Sequence, residues 1–370
     1  MGFFASPQPP PPSPETPISR YRVYASFCSG SDPRPTPNIA NWVERYNPVD
    51  NAWTHVSLIP SLIENHVLKG FAMASIGDSI YIIGGRLCRK EQDHTLAAES
   101  DDLYEVNAKV ISSVLQYYIS SDLWFECTPL STPRYDFACT VCNNKIYVAG
   151  GKSTMSSSKG MSSAEVYDPL LNQWTLLRYK CVGVTWQGKI HVVGGFTERN
   201  DSDGLVSYVE RSSAEVYNEQ NRKWDLVAGT WQLDAPPNQI VAINDMLLSS
   251  GDCLIPWKAH VEAYDGRLNI WYIIEGSQLK FPSSPVDPSC GSDEKWPMIQ
   301  RSDLTMAPIG THLYLLAGYR MAGAASKMQS TVYMFDTSAR GGGWRCLEPI
   351  KGRERELCSH CCVVKLRNEV

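Results

Sequence analysis

Two cysteine pairs have the most chemically suggestive spacing in the chain, Cys139-x-x-Cys142 and Cys358-x-x-Cys361. Such a pair can supply half of a tetrahedral zinc site if a second pair completes it. Neither has a second pair at finger spacing. Both fall in or beside β-type runs, where residues three apart point to opposite faces. They are expected to be small buried strand residues. Only seven histidines are present, and no His-Glu-x-x-His helix accompanies them. There is also no Gly-x-x-x-x-Gly-Lys phosphate loop and no Gly-x-Ser-x-Gly elbow. Gly341-Gly342-Gly343 stands directly before Trp344 and reads as a turn spacer. No catalytic residue, metal or cofactor is expected.

What remains is binding chemistry. Lys69, Arg134, Tyr135, Lys152, Tyr179, Lys180, Phe196, Arg301, Tyr319 and Arg320 all fall where a β-type run meets a longer connection. Arg and Tyr are favoured interface anchors because they combine apolar area with directed hydrogen bonds. Whether these side chains act together depends on the elements that carry them.

The clearest element runs from Arg134 to Trp174. Phe137 to Val141, Lys145 to Ala149 and Ala164 to Tyr167 are short runs rich in Val, Ile, Tyr and small apolar residues. Asn143-Asn144 suits a tight hairpin, since Asn tolerates a positive φ. Asp168-Pro169 and Asn172 turn the chain into a fourth run at Trp174-Thr175-Leu176-Leu177. One such sheet would leave two apolar faces and two open edges, so the unit must recur.

It does recur. Gly150-Gly151 returns as Gly84-Gly85 and Gly194-Gly195, and in weakened form as Ser250-Gly251 and Ala317-Gly318. An aromatic followed seven residues later by Trp occurs at Tyr46/Trp53, Tyr117/Trp124, Tyr167/Trp174, Tyr217/Trp224 and Tyr264/Trp271. Phe335/Trp344 is the same pair stretched to nine by the glycine run. Trp124, Trp174 and Trp224 are 50 residues apart, and Trp271 follows after 47. A period near fifty in an all-β chain implies a β-propeller. The glycines allow close backbone approach, and the Tyr and Trp fill the gap between neighbouring sheets, so these markers are structural.

The string Lys-Ile-Tyr-Val-Ala-Gly-Gly, then Ala-Glu-Val-Tyr-Asp-Pro, then Trp174 resembles a kelch repeat, and the resemblance runs from about Tyr21 to Leu366. The expected fold is all-β: a six-bladed kelch β-propeller with four antiparallel strands per blade. Blade one covers 20–57 plus 358–367. The run Ser359 to Leu366 is expected to enter it as the innermost strand and so close the ring without open edges. The others cover 70–127, 134–177, 181–227, 238–274 and 302–347. Arg86 to Ser113 is expected as a long insertion, and Thr197 to Glu210 as a polar loop.

Strands alternate in direction, so the connection between second and third strands emerges on the same face as the connection between blades. The long insertions are all of these two kinds and crowd one face, with Lys69, Arg134, Tyr135, Lys152, Tyr179, Phe196, Arg301, Tyr319 and Arg320. The resemblance implies that this face binds a peptide or protein. The chain is read as a non-enzymatic interaction module, similar to free-standing kelch proteins common in plants. One alternative is a substrate receptor that reaches a ubiquitin ligase through a separate subunit, since the Pro-rich start cannot form a helical F-box. Another is a channel-mouth enzyme of epimerase or isomerase type. Galactose oxidase chemistry needs copper held by Tyr and His, and no His pair has suitable spacing. The Glu-x-x-x-Asp-x-x-x-His iron motif of nitrile-specifier proteins is absent.

Residues 1–19 hold Pro7, Pro9 to Pro12, Pro14 and Pro17 and are expected to be a disordered, extended tail. Gly2 fits the loose myristoylation pattern, but Phe3 beside it fits poorly and no polybasic anchor follows, so no stable membrane insertion is expected. The formal net charge is −5 without a basic stripe, which argues against nucleic acid as partner. The start carries no secretory pattern, so the cysteines are expected as free thiols in the cytoplasm or nucleus, in a monomer.

Overall fold

A computed structural model describes residues 18–29, 41–60, 62, 66–89, 106–155, 161, 163–178, 182–193, 196–200, 206–210, 214–218, 223–227, 239–250, 260–278, 299–321, 327–338, 343–347 and 355–366. The Pro-rich start, Gly2, Tyr179, Lys180, Gly194 and Gly195 lie outside them. Among the described residues every element is a strand except the 3-10 turn Ile18–Arg20. No helix among them is long and apolar enough to cross a membrane. The expected all-β class is observed, as antiparallel four-stranded sheets consistent with a kelch β-propeller.

The second sheet is built from Ala72–Ile76, Ser79–Ile83, Val114–Tyr118 and Leu123–Cys127. The third uses Ala138–Cys142, Lys145–Ala149, Ser163–Asp168 and Gln173–Arg178, and the fourth Val182–Trp186, Lys189–Val193, Ala214–Asn218 and Lys223–Val227. The fifth comprises Ile240–Ile243, Met246–Ser249, Glu262–Asp265 and Ile270–Ile273, and the sixth Ile299–Ile309, His312–Met321, Lys327–Asp336 and Arg345–Leu347. In each of these the first strand in sequence is the innermost. It touches the innermost strand of the next sheet, from Ala72–Ile76 round to Ile299–Ile309.

The first sheet closes this circuit. Tyr21–Ser29, Trp42–Asn47 and Ala52–Leu58 pair in order, and Cys362–Lys365 pairs Tyr21–Ser29 in the register Tyr21↔Lys365 to Tyr24↔Cys362. Cys362–Lys365 in turn touches both Ala72–Ile76 and Ile299–Ile309. The C-terminal strand therefore fills the innermost place of the first sheet. One feature departs from expectation: Arg355–Leu357 also pairs Tyr21–Ser29, at Phe27↔Leu357 to Ser29↔Arg355. The nine-residue strand is too long for its four-residue partner, and the chain bends at 358–361 to cover both halves.

The core is distributed between sheets. One apolar cluster joins the second and third sheets through Ala72, Tyr81 and Ile83 on one side and Ile146, Val148 and Trp174 on the other. Equivalent clusters occupy the other five junctions. The Tyr and Trp markers are cross-strand partners in the outermost strand pair, as at Tyr167↔Trp174 and Tyr217↔Trp224. Tyr46/Trp53, Tyr117/Trp124, Tyr167/Trp174, Tyr264/Trp271 and Phe335/Trp344 have ring centroids between 5.0 and 5.4 Å apart. Three of the indoles reach back to the preceding sheet: Trp124 Nε1 donates to Ser57 Oγ at 2.9 Å, Trp174 to Thr128 O at 2.9 Å and Trp344 to Ser277 O at 2.6 Å.

The turns follow the side-chain logic. Asn143 and Asn144 have φ of 49° and 56° and join adjacent strands, as the hairpin reading required. A fourth marker, absent from the repeat reading, sits five residues after the Tyr. Tyr46 Oη donates to Asn51 Oδ1 at 3.0 Å, Tyr117 to Asp122 at 2.8 Å, Tyr167 to Asn172 at 2.7 Å and Tyr264 to Asn269 at 2.7 Å. All four acceptors have φ between 48° and 55°, where Asn and Asp are the tolerated non-glycine residues.

Two expected loops are instead partly strand. Arg86–Arg89 and Val106–Val110, within the expected insertion, form a three-stranded sheet with His66–Lys69. Phe196–Asn200 and Val206–Glu210 form a hairpin where a polar loop was expected. The first of these continues the second sheet beyond Gly84 (φ 57°) and Gly85 (φ 104°), where the chain changes direction. In the sixth sheet the marker is Ala317-Gly318, and His312–Met321 runs straight through it. The diglycine thus marks a break in a sheet, not its end.

Candidate interaction face

The connection from the second to the third sheet carries Arg134, Tyr135 and Asp136. Its backbone is stitched to both neighbours. Gly85 N donates to Arg134 O at 2.8 Å, Asp136 N to Gly70 O at 2.8 Å, and Tyr135 and Lys152 exchange backbone bonds at 3.0 and 2.9 Å. A Cβ on Gly84 would lie 2.7 Å from Arg134 O, so the close approach requires glycine there.

Arg134 and Tyr135, expected among the anchors of the binding face, are both buried. Arg134 is 0% and Tyr135 4% exposed. The Arg134 guanidinium donates to Gly150 O at 2.9 Å, to Ser163 O at 3.0 Å and to Glu165 Oε1 at 2.6 Å. The second Glu165 oxygen accepts from Ser131 N at 2.8 Å. The physical reason is the sheet end: at the diglycine break Ser163 O, which already accepts from Gly150 N at 3.1 Å, lies beside Gly150 O, and the guanidinium donates to both carbonyls. Burial pulls the Arg134 pKa down, and the Glu165 carboxylate beside it opposes that. Tyr135 offers its ring to Arg86, whose guanidinium carbon lies 5.2 Å from the centroid.

Lys69 is half-buried. Its Nζ lies 2.8 Å from Glu356 Oε1, which ties the three-stranded sheet to the C-terminal segment. Burial would lower its pKa, but the adjacent carboxylate outweighs that and raises it. Asn41, fully buried, completes this junction through Nδ2 to Leu68 O at 2.9 Å and Oδ1 from Leu68 N at 2.6 Å. Sequence reasoning missed Arg86, Asn41, Glu165 and Glu356. For Glu165 a signal existed, because Ala-Glu-Val-Tyr recurs at Ala214 to Tyr217.

Eight of the nine expected site residues are among those described. Arg134, Tyr135 and Lys152 gather at the junction of the second and third sheets through the contacts above, and Lys69 lies beside them on the three-stranded sheet with its side chain held by Glu356. Arg301, Tyr319 and Arg320 lie on the overlong strands of the sixth sheet, with Arg301 directly opposite Tyr319 and Gln300 opposite Arg320. Phe196 pairs Glu210 on the hairpin of the fourth sheet. Tyr179 lies outside the described residues.

Cys139 and Cys142 are packed as strand residues, whereas Cys358 and Cys361 are buried in the bend before the closing strand. Burial pushes the Cys139 thiol up to about 12 and Cys361 to about 11. Cys142 Sγ contacts Gly188 O at 3.7 Å, and Cys361 Sγ contacts Met306 O at 3.6 Å. Among the described residues no group of three His, Cys, Asp or Glu is placed to hold a metal ion.

Residues 133–180 match the family model of the Kelch motif. The chain is 28% identical over 196 residues to an F-box/kelch-repeat protein of Arabidopsis thaliana, covering 51% of this chain and 46% of that protein. A second F-box/kelch-repeat protein of Arabidopsis thaliana is 23% identical over 290 residues, 63% of each chain. Kelch-like protein 26 of Danio rerio is 28% identical over 192 residues, 50% of this chain and 26% of that one. The chain spans less than two thirds of the length of each of these relatives. The motif lies on the third sheet.

Proposed function

We infer, for a chain that carries the kelch motif and its repeat, a non-enzymatic protein-interaction module that binds a peptide or protein on the face of the long connections. The observation that carries this reading is the strand-built relief on that side. The three-stranded sheet, the hairpin Phe196–Asn200/Val206–Glu210 and the prolonged strands of the sixth sheet all extend beyond the glycine markers of alternate sheets. Among the described residues the opposite side carries tight turns, such as Asn143-Asn144 and Asn244-Asp245. A rigid ring with relief on one side presents a broad surface, and Lys152, Arg301, Tyr319 and Arg320 are the anchors assigned to it. The module is read as a cytoplasmic or nuclear monomer.

The test is affinity capture followed by mass spectrometry from cells that express the protein. The intact chain is compared with a Lys152→Glu, Arg301→Glu, Arg320→Glu variant and with Leu268→Glu in a tight turn on the other side, where Leu268 is 66% exposed. Circular dichroism checks folding. Partners lost from the triple variant and kept by Leu268→Glu support the reading. Partners kept by the triple variant overturn it.

A second reading is favoured by one observation: the relatives include F-box/kelch-repeat proteins. It makes the face the substrate-binding part of a ubiquitin-ligase receptor. Cullin-ligase subunits among the captured proteins would support it.

A further inference from the structure

On the face of the tight turns, the outer ends of the second and third sheets enclose an open groove of about 430 Å³. Tyr118 and Phe125 form its wall, Tyr167 and Pro169 its far side, and Gln116 and Asn172 supply polar groups. The Tyr118 and Phe125 rings meet edge to face at 5.4 Å. Unlike the marker pair Tyr117/Trp124 one step away on the same strands, they are turned outwards and remain 38% and 49% exposed. Asn172, which lines the groove, accepts from Tyr167 Oη and Thr128 N at its Oδ1, so its donor to a ligand would be Nδ2.

We propose that this groove binds a polyproline II peptide, and that its occupant is the chain's own Pro-rich segment before Ile18. An aromatic wall with neighbouring donors is the surface such a helix requires. Pyrrolidine rings pack on the aromatic faces, and the backbone carbonyls, which have no internal partners, accept from Tyr, Asn and Gln. Seven of the seventeen residues before Ile18 are proline, with an unbroken run at Pro9 to Pro12. Their restricted backbone loses little entropy on docking.

The path of the chain agrees. Tyr21–Ser29 takes the second place in its sheet, as Ser79–Ile83 does in the next. Ser79–Ile83 begins at the tight turn Gly77-Asp78 and runs towards the diglycine, so Tyr21–Ser29 is likewise entered from the tight-turn side. Ile18 packs at the junction of the first and sixth sheets, and Leu366 N holds Arg20 O at 2.7 Å, which fixes the exit point. The groove opens on that side through Ser121, Pro169 and Asn172. At about 3.1 Å per residue, the nine residues from Ile18 back to Pro9 span roughly 28 Å. From the second place of the first sheet to the outer edge of the second takes about 10 Å of sheet width, and passing from the one junction to the other about 20 Å of intersheet spacing, which at right angles is a path of about 22 Å.

The test uses the full chain with Ser13 replaced by the photo-crosslinker p-benzoylphenylalanine, which flanks the proline run. After irradiation, crosslinked peptides are mapped by mass spectrometry, and monomer is separated from dimer by gel. The expected result is a crosslink within one chain to the peptides spanning 116–127 or 167–172. It falls at least about tenfold in Tyr118→Ala/Phe125→Ala, as loss of aromatic anchors does, and is suppressed by added decaproline. Circular dichroism establishes that the variant is folded. Crosslinks distributed elsewhere, a yield unchanged by the double substitution, or crosslinking only between two chains would overturn the proposal.

Discussion

Arg134 donates to Glu165 at 2.6 Å, and neither side chain is exposed. The pair fastens the third sheet at the diglycine break, where the Arg134 guanidinium also donates to the carbonyls of Gly150 and Ser163. Removal of one partner leaves the other charge buried. Arg134→Ala is expected to cost about 3–5 kcal/mol, and Glu165→Ala a similar amount. The double variant Arg134→Met/Glu165→Leu should cost less than the two singles added together, because no charge is stranded. Urea unfolding midpoints of the four proteins decide this, and strict additivity would contradict the assignment.

Asn172 combines a left-handed backbone (φ 48°) with bonds from Tyr167 Oη and Thr128 N. Asn172→Gly keeps the conformation and loses the bonds. Asn172→Ala loses both and adds about 1–2 kcal/mol of backbone strain. Alanine is therefore expected to destabilise more than glycine, with Tyr167→Phe milder than either at about 0.5–1.5 kcal/mol. Thermal melts would show the order, and glycine ranking below alanine would refute it.

Gly151 and Gly188 separate steric from conformational cost. Both have positive φ, 81° and 69°. A Cβ on Gly151 would lie 2.6 Å from Tyr135 O and 2.7 Å from Phe137 Cβ, whereas on Gly188 it would meet nothing within 4 Å. Gly188→Ala should cost about 1–2 kcal/mol, and Gly151→Ala distinctly more, with displacement of the Tyr135–Lys152 connection. Chemical denaturation measures both, and equal costs would remove the close-approach argument.

Much of the fold could be read from sequence because its markers are local. A Tyr and a Trp seven apart meet only if a tight turn lies between them, and Asn172 supplies the left-handed residue for it. The closure of the ring could be read because Cys362–Lys365 resembles a first strand with no sheet of its own. The interaction face was harder to read. Arg134 has the composition of an interface anchor, but its fate depends on Glu165, thirty-one residues away, and on carbonyls exposed by the sheet break. Lys69 depends on Glu356, from the other end of the chain. Apart from the recurring Ala-Glu-Val-Tyr around Glu165, contacts of that separation leave no periodic trace. The outward-facing Tyr118 and Phe125 escaped notice because they are cross-strand neighbours one step from the buried marker pair.

The thiols should report the packing directly. Cys346 is exposed, whereas Cys358, Cys361 and Cys362 are buried and their thiol pKa values are raised by burial. Since the thiolate is the reactive form, iodoacetamide at neutral pH should label Cys346 well before those three. Peptide mapping after timed quenching would establish the order. Early labelling of Cys361 or Cys362 would mean that the closing strand opens readily.

His191 gives the fold a dependence on pH with a definite sign. Burial disfavours its charged form and lowers the pKa to about 4 from an ordinary value of 6.5, with Lys189 adding to the effect. Its ring lies 5.1 Å from that of Trp186 across the strand pair. The unfolded chain binds a proton at this residue between those two values and the folded chain does not. Its contribution to stability is therefore fully present above about pH 6.5 and is lost as pH falls towards 4. Carboxylates also titrate in that range, so the difference between proteins isolates the histidine. His191→Phe should lose less stability than the parent between pH 7 and pH 4.5, measured as the change in urea midpoint. Parallel losses in the two proteins would mean that His191 is protonated without hindrance in the folded ring.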